Sequence, residues 1–274
     1  MRIAYDDVGT GPVVVLSHAS LADRRMWRAQ VAALSQHYRV IAWDQRGYGE
    51  SSDPPERVRH GQDLLQLLDE LGIDRATLVG CSMGGGYSLD AATLAPDRVE
   101  RLVLICSGVP GYEWPEQMLA EVGPLLTAAV PADRLAHYAA HTADSVRDED
   151  IAAMAEAQLR YMAVGPGRTP AVFAPEVWSF LLGLTRGVFA RMWRGPQTLE
   201  IDPSPPLLER LGEVRAPTLV ISGRSDVGFI RDVSDRLAEG IPAARRIDLD
   251  DTGHLPPVER PDLVNAALTD WLAG

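Results

Sequence analysis

One short segment of the chain has the residue types and the spacing that nucleophilic catalysis requires. It reads Gly80-Cys81-Ser82-Met83-Gly84, after an apolar run and before a helical pattern. A serine on a sharp strand-to-helix turn projects its hydroxyl above the sheet, and flanking glycines avoid collisions with neighbouring backbone. The helix that begins behind Ser82 adds a positive dipole and free N–H groups. This context favours a nucleophile over a chance glycine-rich turn.

A serine hydroxyl is a weak nucleophile by itself, so Ser82 needs a histidine base that an acid orients. Of the six histidines, His254 lies between the last predicted strand and the last predicted helix. The acid should follow a strand and lie between serine and histidine in the chain, which Asp226 does. We therefore predict a catalytic triad of Ser82, Asp226 and His254. Three rival aspartates lie too close to His254 in sequence to reach its far ring nitrogen easily: Asp248, Asp250 and Asp251.

Metal and nucleotide sites have little support in the sequence. His137 and His141 have the i, i+4 spacing of a metal-binding helix. No acidic ligand accompanies them at metalloprotease spacing, so a solvated helix face is the better interpretation. No glycine-rich phosphate loop follows a predicted strand. We therefore predict neither a metal nor a cofactor.

The elements that must position these residues alternate between strand and helix. Short apolar runs without in/out alternation are typical of strands that are buried on both faces. Helical patterns separate them; residues 63–71 place four leucines on one face and end at Gly72. This alternation predicts a doubly wound, mostly parallel α/β sheet. The apolar runs are residues 13–16, 40–43, 76–79, 102–105 and 217–222.

Residues 110–212 interrupt the alternation. They show no clear buried strand, are rich in aromatic side chains and carry helical patterns. Because structureless loops beyond about 15 residues are uncommon in compact domains, we predict a helical insertion here. The flanking segments, 1–109 and 213–274, then form one α/β core.

Composition excludes several classes of protein. The 274 residues are 46% hydrophobic and 23% charged, which is typical of a globular chain. The net charge of −12 repels polyanions, so we expect neither nucleic acid nor a membrane surface as a partner. No apolar run reaches the roughly 18 residues that span a bilayer, and acidic residues occupy the place of a signal peptide's apolar stretch. We expect a cytoplasmic protein that acts on a small molecule.

Six motifs follow one another along the chain: His18-Ala19, Asp44–Ser51, Gly80–Gly84, Pro96–Val99, Gly223–Asp226 and Gly253-His254. With these motifs the chain resembles the α/β-hydrolase superfamily over nearly its whole length. The resemblance implies an eight-stranded, mostly parallel sheet with a helical cap after the sixth strand, and residues 110–212 match that cap. Haloalkane dehalogenases and epoxide hydrolases of this fold carry aspartate at the position of Ser82, so the serine disfavours both chemistries.

The same resemblance implies an oxyanion hole. By position, the main-chain N–H groups of Ser20 and Met83 would form it. Ala19 replaces the glycine that the superfamily usually has after its histidine. The run from residue 20 to 27 is similar to that of 3-oxoadipate enol-lactonases, although those enzymes tend to carry asparagine at the position of His18. We expect His18 to brace the oxyanion loop.

Other residues near these motifs are interpreted as structural or as pocket walls. Asp44 is expected to fix a loop through hydrogen bonds, and Cys81 to pack as a small hydrophobe away from the site. Small-molecule pockets have mostly apolar walls with few polar groups. The aromatic side chains that we predict to line the pocket are Trp27, Tyr161, Trp178 and Trp193.

Together these features predict a serine hydrolase that cleaves a small-molecule ester or lactone through an acyl-enzyme on Ser82. One alternative is a C–C bond hydrolase of 1,5-diketones on the same scaffold. Another is a ligand receptor or non-hydrolytic catalyst that keeps the triad. Fold alone does not define the acyl group, the alcohol or the oligomeric state.

Overall fold

The computed structural model describes residues 2–113 and 115–274, and a seven-stranded sheet lies at its centre. The strands in chain order are β1 (Tyr5–Val8), β2 (Val13–Ser17), β3 (Arg39–Trp43), β4 (Arg57–Val58), β5 (Ala76–Cys81), β6 (Val99–Ile105), β7 (Leu199–Glu200), β8 (Thr218–Gly223) and β9 (Arg245–Leu249). The order across the sheet is β1-β3-β2-β5-β6-β8-β9. Only β1 runs antiparallel to its neighbour, while β4 and β7 form a separate parallel pair.

Helices cover both faces of the sheet. They are α1 (Arg28–Leu34), α2 (His60–Glu70), α3 (Met83–Leu94), α4 (Glu116–Ala129), α5 (Ala132–Ala139), α6 (Asp148–Leu159), α7 (Pro175–Arg194), α8 (Gly228–Gly240), α9 (Pro256–Glu259) and α10 (Pro261–Ala273). Leucines and valines of α2, α3 and α8 share one apolar cluster with Val15, while α1 and α10 share the other with Val14 and Leu16. Both faces of β2 are therefore buried, which explains its unbroken apolar run.

The doubly wound, mostly parallel α/β class is confirmed, but the main sheet has seven strands among the described residues instead of the expected eight. The antiparallel strand β1 forms one edge, and all four of its residues are exposed. Two of them, Asp6 and Asp7, carry negative charge. Charged side chains on an exposed edge strand discourage edge-to-edge pairing with another molecule.

The helices α4 to α7, which we call the helical segment, lie between β6 and β8 in the chain. Helix α6 packs against both α4 and α7, and a π-helical turn at Arg160–Val164 continues it. The division of the chain into a core and a cap stays a prediction. Helix α7 has 20 residues, yet neither it nor any other helix in the described part is long and apolar enough to cross a membrane.

The parallel strands set the place of the functional loops. Because β5, β6, β8 and β9 are parallel neighbours, the loops that follow them leave the sheet at the same edge. Ser82 follows β5, Asp226 follows β8 and His254 follows β9. Residues that are 172 positions apart in the chain can therefore meet at the carboxyl edge of the sheet.

Candidate active site

Ser82 lies on the turn between β5 and α3 in a strained backbone conformation. Its φ of 53° and ψ of −121° fall in a region that side-chain-bearing residues rarely adopt. The N–H of Ser82 donates to the carbonyl of Ile105 at 2.9 Å, and its own carbonyl accepts from the N–H groups of Gly85 and Gly108 at 3.0 Å each. These three bonds hold the turn, so the serine side chain keeps one direction.

The two glycines of the motif are required by close backbone approach. A side chain at Gly80 would run into the carbonyl group of Gly84, and a side chain at Gly84 would run into the carbonyls of Ser17 and His18. The turn after β5 is therefore packed against the turn after β2. This contact is the physical reason for the spacing that identified Ser82 in the sequence.

Three side chains that were predicted from separate motifs form one hydrogen-bonded series. Nε2 of His254 lies 2.8 Å from Oγ of Ser82, and Nδ1 of His254 lies 2.8 Å from Oδ2 of Asp226. Ser82 is 6% exposed, His254 1% and Asp226 0%. Since the Asp226 carboxylate only accepts hydrogen bonds, the histidine proton lies on Nδ1 and Nε2 accepts from the serine hydroxyl. This tautomer can act as a general base toward Ser82.

The three rival aspartates do not reach this series. Asp248 and Asp250 form ion pairs with arginine side chains at 2.9 and 3.2 Å. Asp251 is exposed on a turn with a φ of 50°. The second carboxylate oxygen of Asp226 accepts from the N–H of Val227 at 2.7 Å, which fixes its orientation toward the histidine.

A cavity of about 610 Å³ lies over Ser82. Ser20 and Met83, the residues expected to form the oxyanion hole, line it together with Ser82. Among residues 2–113 and 115–274, no group accepts a hydrogen bond from the main-chain N–H of Ser20 or Met83. The assignment of both N–H groups to an oxyanion hole stays a prediction.

His18 holds the loop that carries Ser20. Its Nδ1–H donates to the carbonyl of Ala19 at 2.9 Å, and its Nε2 accepts from the N–H of Gln45 at 3.1 Å. The Gln45 amide in turn donates to the His18 carbonyl at 2.9 Å. Burial lowers the pKa of His18 below its ordinary value, so the ring is neutral and keeps both bonds. Asp44 fixes the adjacent turn as expected, because its carboxylate accepts two main-chain N–H bonds at 2.8 Å.

Two buried thiols lie beneath the site. The Sγ atoms of Cys81 and Cys106 each lie 3.8 Å from a carbonyl oxygen of the turn that carries His254. Burial raises the pKa of both thiols well above the ordinary value, so neither is a ready nucleophile. Within the described ranges, the donor atoms of Cys106, Asp226 and His254 come within 4.8 Å of one another. A metal there would compete with the bond between Asp226 and His254.

The histidine pair of the sequence does not form a cluster with acidic ligands in the described chain. Nδ1 of His137 lies 3.0 Å from Oγ1 of Thr142 at the surface, and His141 lines a different cavity. The structure thus keeps the pair on the solvated face of α5 and the turn after it.

The structure places the four aromatic residues predicted as pocket walls elsewhere than at the Ser82 cavity. None of the four aromatic residues is among the described residues that line the Ser82 cavity. Trp27 is completely buried in the core, and the other three contact side chains of the helical segment or its linking turns. These contacts are Tyr161 with Glu121, Trp178 with Phe173 and Trp193 with Tyr138.

The observed walls come from both the sheet edge and the helical segment. Met118 of α4 and Met162 after α6 lie opposite apolar residues that include Phe229 and Ile230 of α8. The polar lining residues other than serine are Tyr87, Tyr112, Glu113, Gln158, Glu200 and Asp202. The sequence analysis missed all of these. Only Tyr87 could have been found from its position, because it lies five residues after Ser82 on the helix that follows the motif.

Comparison with known proteins agrees with this geometry. The family model described as alpha/beta hydrolase fold matches residues 12–151, and the chain belongs to that family. A 2-hydroxy-6-oxo-2,4-heptadienoate hydrolase of Pseudomonas putida is 31% identical, with 97% of this chain and 91% of that protein aligned. A Caulobacter protein named "Putative carbamate hydrolase RutD" is 29% identical, covering 98% of this chain and 96% of that one.

A solved structure shows the same architecture. The enol-lactonase from Burkholderia xenovorans LB400 superposes with a TM-score of 0.76 at 26% identity, covering 99% of this chain and 96% of that one. The predicted superfamily, and the likeness to enol-lactonases within it, are thereby confirmed.

Proposed function

We propose that the chain is a serine hydrolase that cleaves a small-molecule ester or lactone through an acyl-enzyme on Ser82. The observation that carries the proposal is the pair of 2.8 Å hydrogen bonds that join Ser82, His254 and Asp226 beneath a cavity. A hydrogen-bonded nucleophile, base and orienting acid are the recurring constellation of acyl transfer. The proposal fits a chain that belongs to a hydrolase family.

Acylation would begin with attack of Oγ of Ser82 on the carbonyl carbon, while Nε2 of His254 takes the hydroxyl proton. The carbonyl oxygen becomes an anion, which the N–H groups of Ser20 and Met83 would stabilise. When the tetrahedral intermediate collapses, His254 returns the proton to the leaving alkoxide and the alcohol departs. In a lactone the alcohol stays attached to the acyl group.

Deacylation would repeat these steps with water as the nucleophile. His254 takes a proton from water, hydroxide adds to the acyl carbon, and the Ser82 oxygen leaves with the proton from His254. Throughout, Asp226 stabilises the histidine cation without accepting its proton. The completely buried carboxylate of Asp226 is well placed for this role because bulk water does not screen it.

We also propose that residues 110–212 form a cap over the site, inserted between segments 1–109 and 213–274. Two observations support this division. The helices between β6 and β8 pack against one another, and Met118 and Met162 bring apolar side chains from that segment to the Ser82 cavity. Contributions from a scaffold and from an insertion would allow substrate choice to vary while the chemistry stays fixed.

A second candidate is C–C bond hydrolysis, which the similarity to the Pseudomonas putida hydrolase favours. That relative's name describes an oxo-dienoate substrate, which bears a carboxylate. The described residues that line the Ser82 cavity include three carboxylates and no arginine. A carboxylate ligand would be repelled there, so ester or lactone cleavage is the better proposal. Assays of 1,5-diketones beside p-nitrophenyl esters separate the two reactions.

Covalent labelling tests the proposed nucleophile. A fluorophosphonate should modify the wild-type protein once, and mass spectrometry of the digested protein should locate the adduct on Ser82. Ser82→Ala should remove the label, and Cys81→Ala, which changes the neighbouring buried residue, should keep it. An adduct on Cys81, or no adduct on a folded protein, would contradict the assignment.

A further inference from the structure

The charged side chains that line the cavity over Ser82 in the described part of the chain are all negative. Glu113, Glu200 and Asp202 line it, and no arginine or histidine is among the described lining residues. All three carboxylates belong to exposed residues, so they are accessible to a ligand. The whole chain carries a net charge of −12 and has no lysine. Its long-range field therefore has the same sign as the cavity and attracts cations toward it.

The position of Glu200 is fixed by a buried tyrosine. The hydroxyl of Tyr87, a residue that is 4% exposed, donates to Oε2 of Glu200 at 3.0 Å. Tyr87 lies five residues after Ser82 on α3, a rise of about 7.5 Å along the helix. Tyr87 thus holds the Glu200 carboxylate at a wall of the cavity that contains Ser82.

Positive groups near Glu200 line a neighbouring cavity, which Glu200 also lines. The ring of His60 packs on Tyr87 with 4.6 Å between ring centroids, and it lines a neighbouring cavity together with Arg46 and Arg191. Both arginines already form ion pairs with aspartates. They therefore do not place a positive charge in the cavity that contains Ser82.

Aromatic rings complete the environment of a cation. Tyr112 and Phe229 line the same cavity as the carboxylates. The faces of aromatic rings attract ammonium groups, and quaternary ammonium ligands in particular are bound by such rings. Carboxylates and aromatic rings together favour a large, weakly hydrated cation over a neutral or anionic group.

We infer that the Ser82 cavity selects esters that carry an ammonium group, in preference to neutral or anionic esters of the same size. This inference rests on the proposed ester hydrolysis. The reaction consumes one water and yields a carboxylic acid and an alcohol, and the ammonium group itself takes no part in bond breaking. Its attraction to Glu113, Glu200 and Asp202 acts on binding.

Two isosteric substrates test the inference directly. Butyrylcholine and 3,3-dimethylbutyl butyrate have the same shape, but one carries a quaternary nitrogen where the other has carbon. We expect kcat/KM to be on the order of tenfold higher for butyrylcholine, since ion pairs and ring contacts of this kind each contribute a few-fold. The preference should shrink when salt is raised, because salt screens exposed charges.

Charge-removing variants locate the source of the preference. Asp202→Asn and Glu113→Gln should each lower the ratio of the two kcat/KM values, and the double variant should lower it further, while Glu200 keeps it above one. Glu239→Gln removes the same charge from an exposed position on α8 that does not line the cavity, and it should leave the ratio unchanged. Circular dichroism verifies that all variants are folded.

The outcomes separate this inference from the proposed function. Equal or greater activity toward the neutral ester, with Ser82 labelled by a fluorophosphonate, would overturn the cation preference and leave ester hydrolysis intact. If neither ester is cleaved and Ser82 is not labelled, ester hydrolysis fails. In that case, calorimetry measures the binding of both esters to Ser82→Ala. Tighter binding of butyrylcholine supports the cation preference, and equal binding refutes it.

Discussion

The sheet edge and the helical segment both contribute to the Ser82 cavity, yet they follow different rules. At the sheet edge, Ser82, Asp226 and His254 each follow a strand, and backbone bonds fix their directions. In the helical segment, Trp178 and Trp193 contact other aromatic side chains instead of the cavity. The comparison teaches that polar side chains with directional bonds define a site more tightly than apolar ones.

The reason for the difference is the nature of the forces. A hydrogen bond fails when its partner is displaced by less than 1 Å or turned away, so only one arrangement of the three residues works. Apolar burial has no direction and depends mainly on the area removed from water. An aromatic ring on α7 is stabilised about equally by a cavity wall or by a neighbouring helix.

The largest expected effect is that of removing the proposed nucleophile. Ser82→Ala should lower kcat by on the order of 10⁶, as loss of the nucleophile does in other serine hydrolases. The fold should persist, because the turn is held by main-chain bonds that alanine retains. Initial rates with a p-nitrophenyl ester measure the loss. Activity within a hundredfold of wild type would place the nucleophile elsewhere.

The next effect tests the orienting acid. Asp226→Asn should cost on the order of 10⁴ in kcat, because the amide no longer selects the histidine tautomer that accepts the serine proton. Asp250→Asn offers a matched control, since Asp250 is paired with an arginine at the surface. The same ester assay applies to both. Near-normal rates for Asp226→Asn together with a strong loss for Asp250→Asn would reverse the assignment.

A smaller effect sharpens the contrast between cavity walls and helix contacts. Phe229→Ala should change the preference among p-nitrophenyl esters of different acyl length by roughly fivefold, since each methylene that loses contact is worth about 0.8 kcal/mol. Trp178→Ala should leave that preference unchanged, because Trp178 packs against Phe173 instead of the cavity. The profile of kcat/KM against chain length distinguishes the two. A changed profile for Trp178→Ala alone would restore the original prediction.

The smallest effect concerns stability and pH. The buried His18 has a pKa below the ordinary 6.5, so the unfolded chain takes up this proton first as pH falls. Its contribution to stability is complete above pH 6.5 and declines below it, by at most about 1.4 kcal/mol per pH unit. Denaturant unfolding at about pH 7 and about pH 5.5 should therefore show a smaller loss for His18→Asn than for wild type.

A matched variant controls for histidine number in this measurement. His137→Asn replaces an exposed histidine whose Nδ1 lies 3.0 Å from Oγ1 of Thr142. It should show the same loss of stability with falling pH as wild type. If His18→Asn also matches wild type, then protonation of His18 does not contribute to the pH dependence.

Much of the fold follows from local sequence patterns. The unbroken run of valine and leucine in β2 predicts a strand that is buried on both faces, and Val14 and Val15 indeed join opposite clusters. The leucines of α2 at i, i+3 and i+4 are completely buried as their spacing predicts. The eighth strand, expected from resemblance alone, is not found among the described residues, where the exposed strand β1 forms one edge of the sheet.

The candidate site also has a part that the sequence predicts and a part that it does not. Glycine spacing and chain order identified Ser82, Asp226 and His254, because the backbone geometry of the turn and the order of parallel strands leave few options. Glu200 and Asp202 could not be found in this way. They lie in a short segment after α7 whose position depends on long-range pairing with residues 57–58. The local sequence pattern does not predict that pairing.

The pairing between β4 and β7 sets the register of residues 199–202, and so decides which of their side chains face the cavity. Side chains alternate between the two sides of an extended segment, so Glu200 and Asp202 share a side and Ile201 takes the opposite one. Two main-chain hydrogen bonds hold this register. The N–H of Leu199 donates to the Glu56 carbonyl at 2.8 Å, and the N–H of Ile201 donates to the Val58 carbonyl at 2.7 Å. A slip of one residue would exchange every side chain between the two faces. Deletion of one residue from the turn after α7 would therefore present Ile201 where a carboxylate now lies, and the loss of a single codon would remove two of the three carboxylates from the cavity.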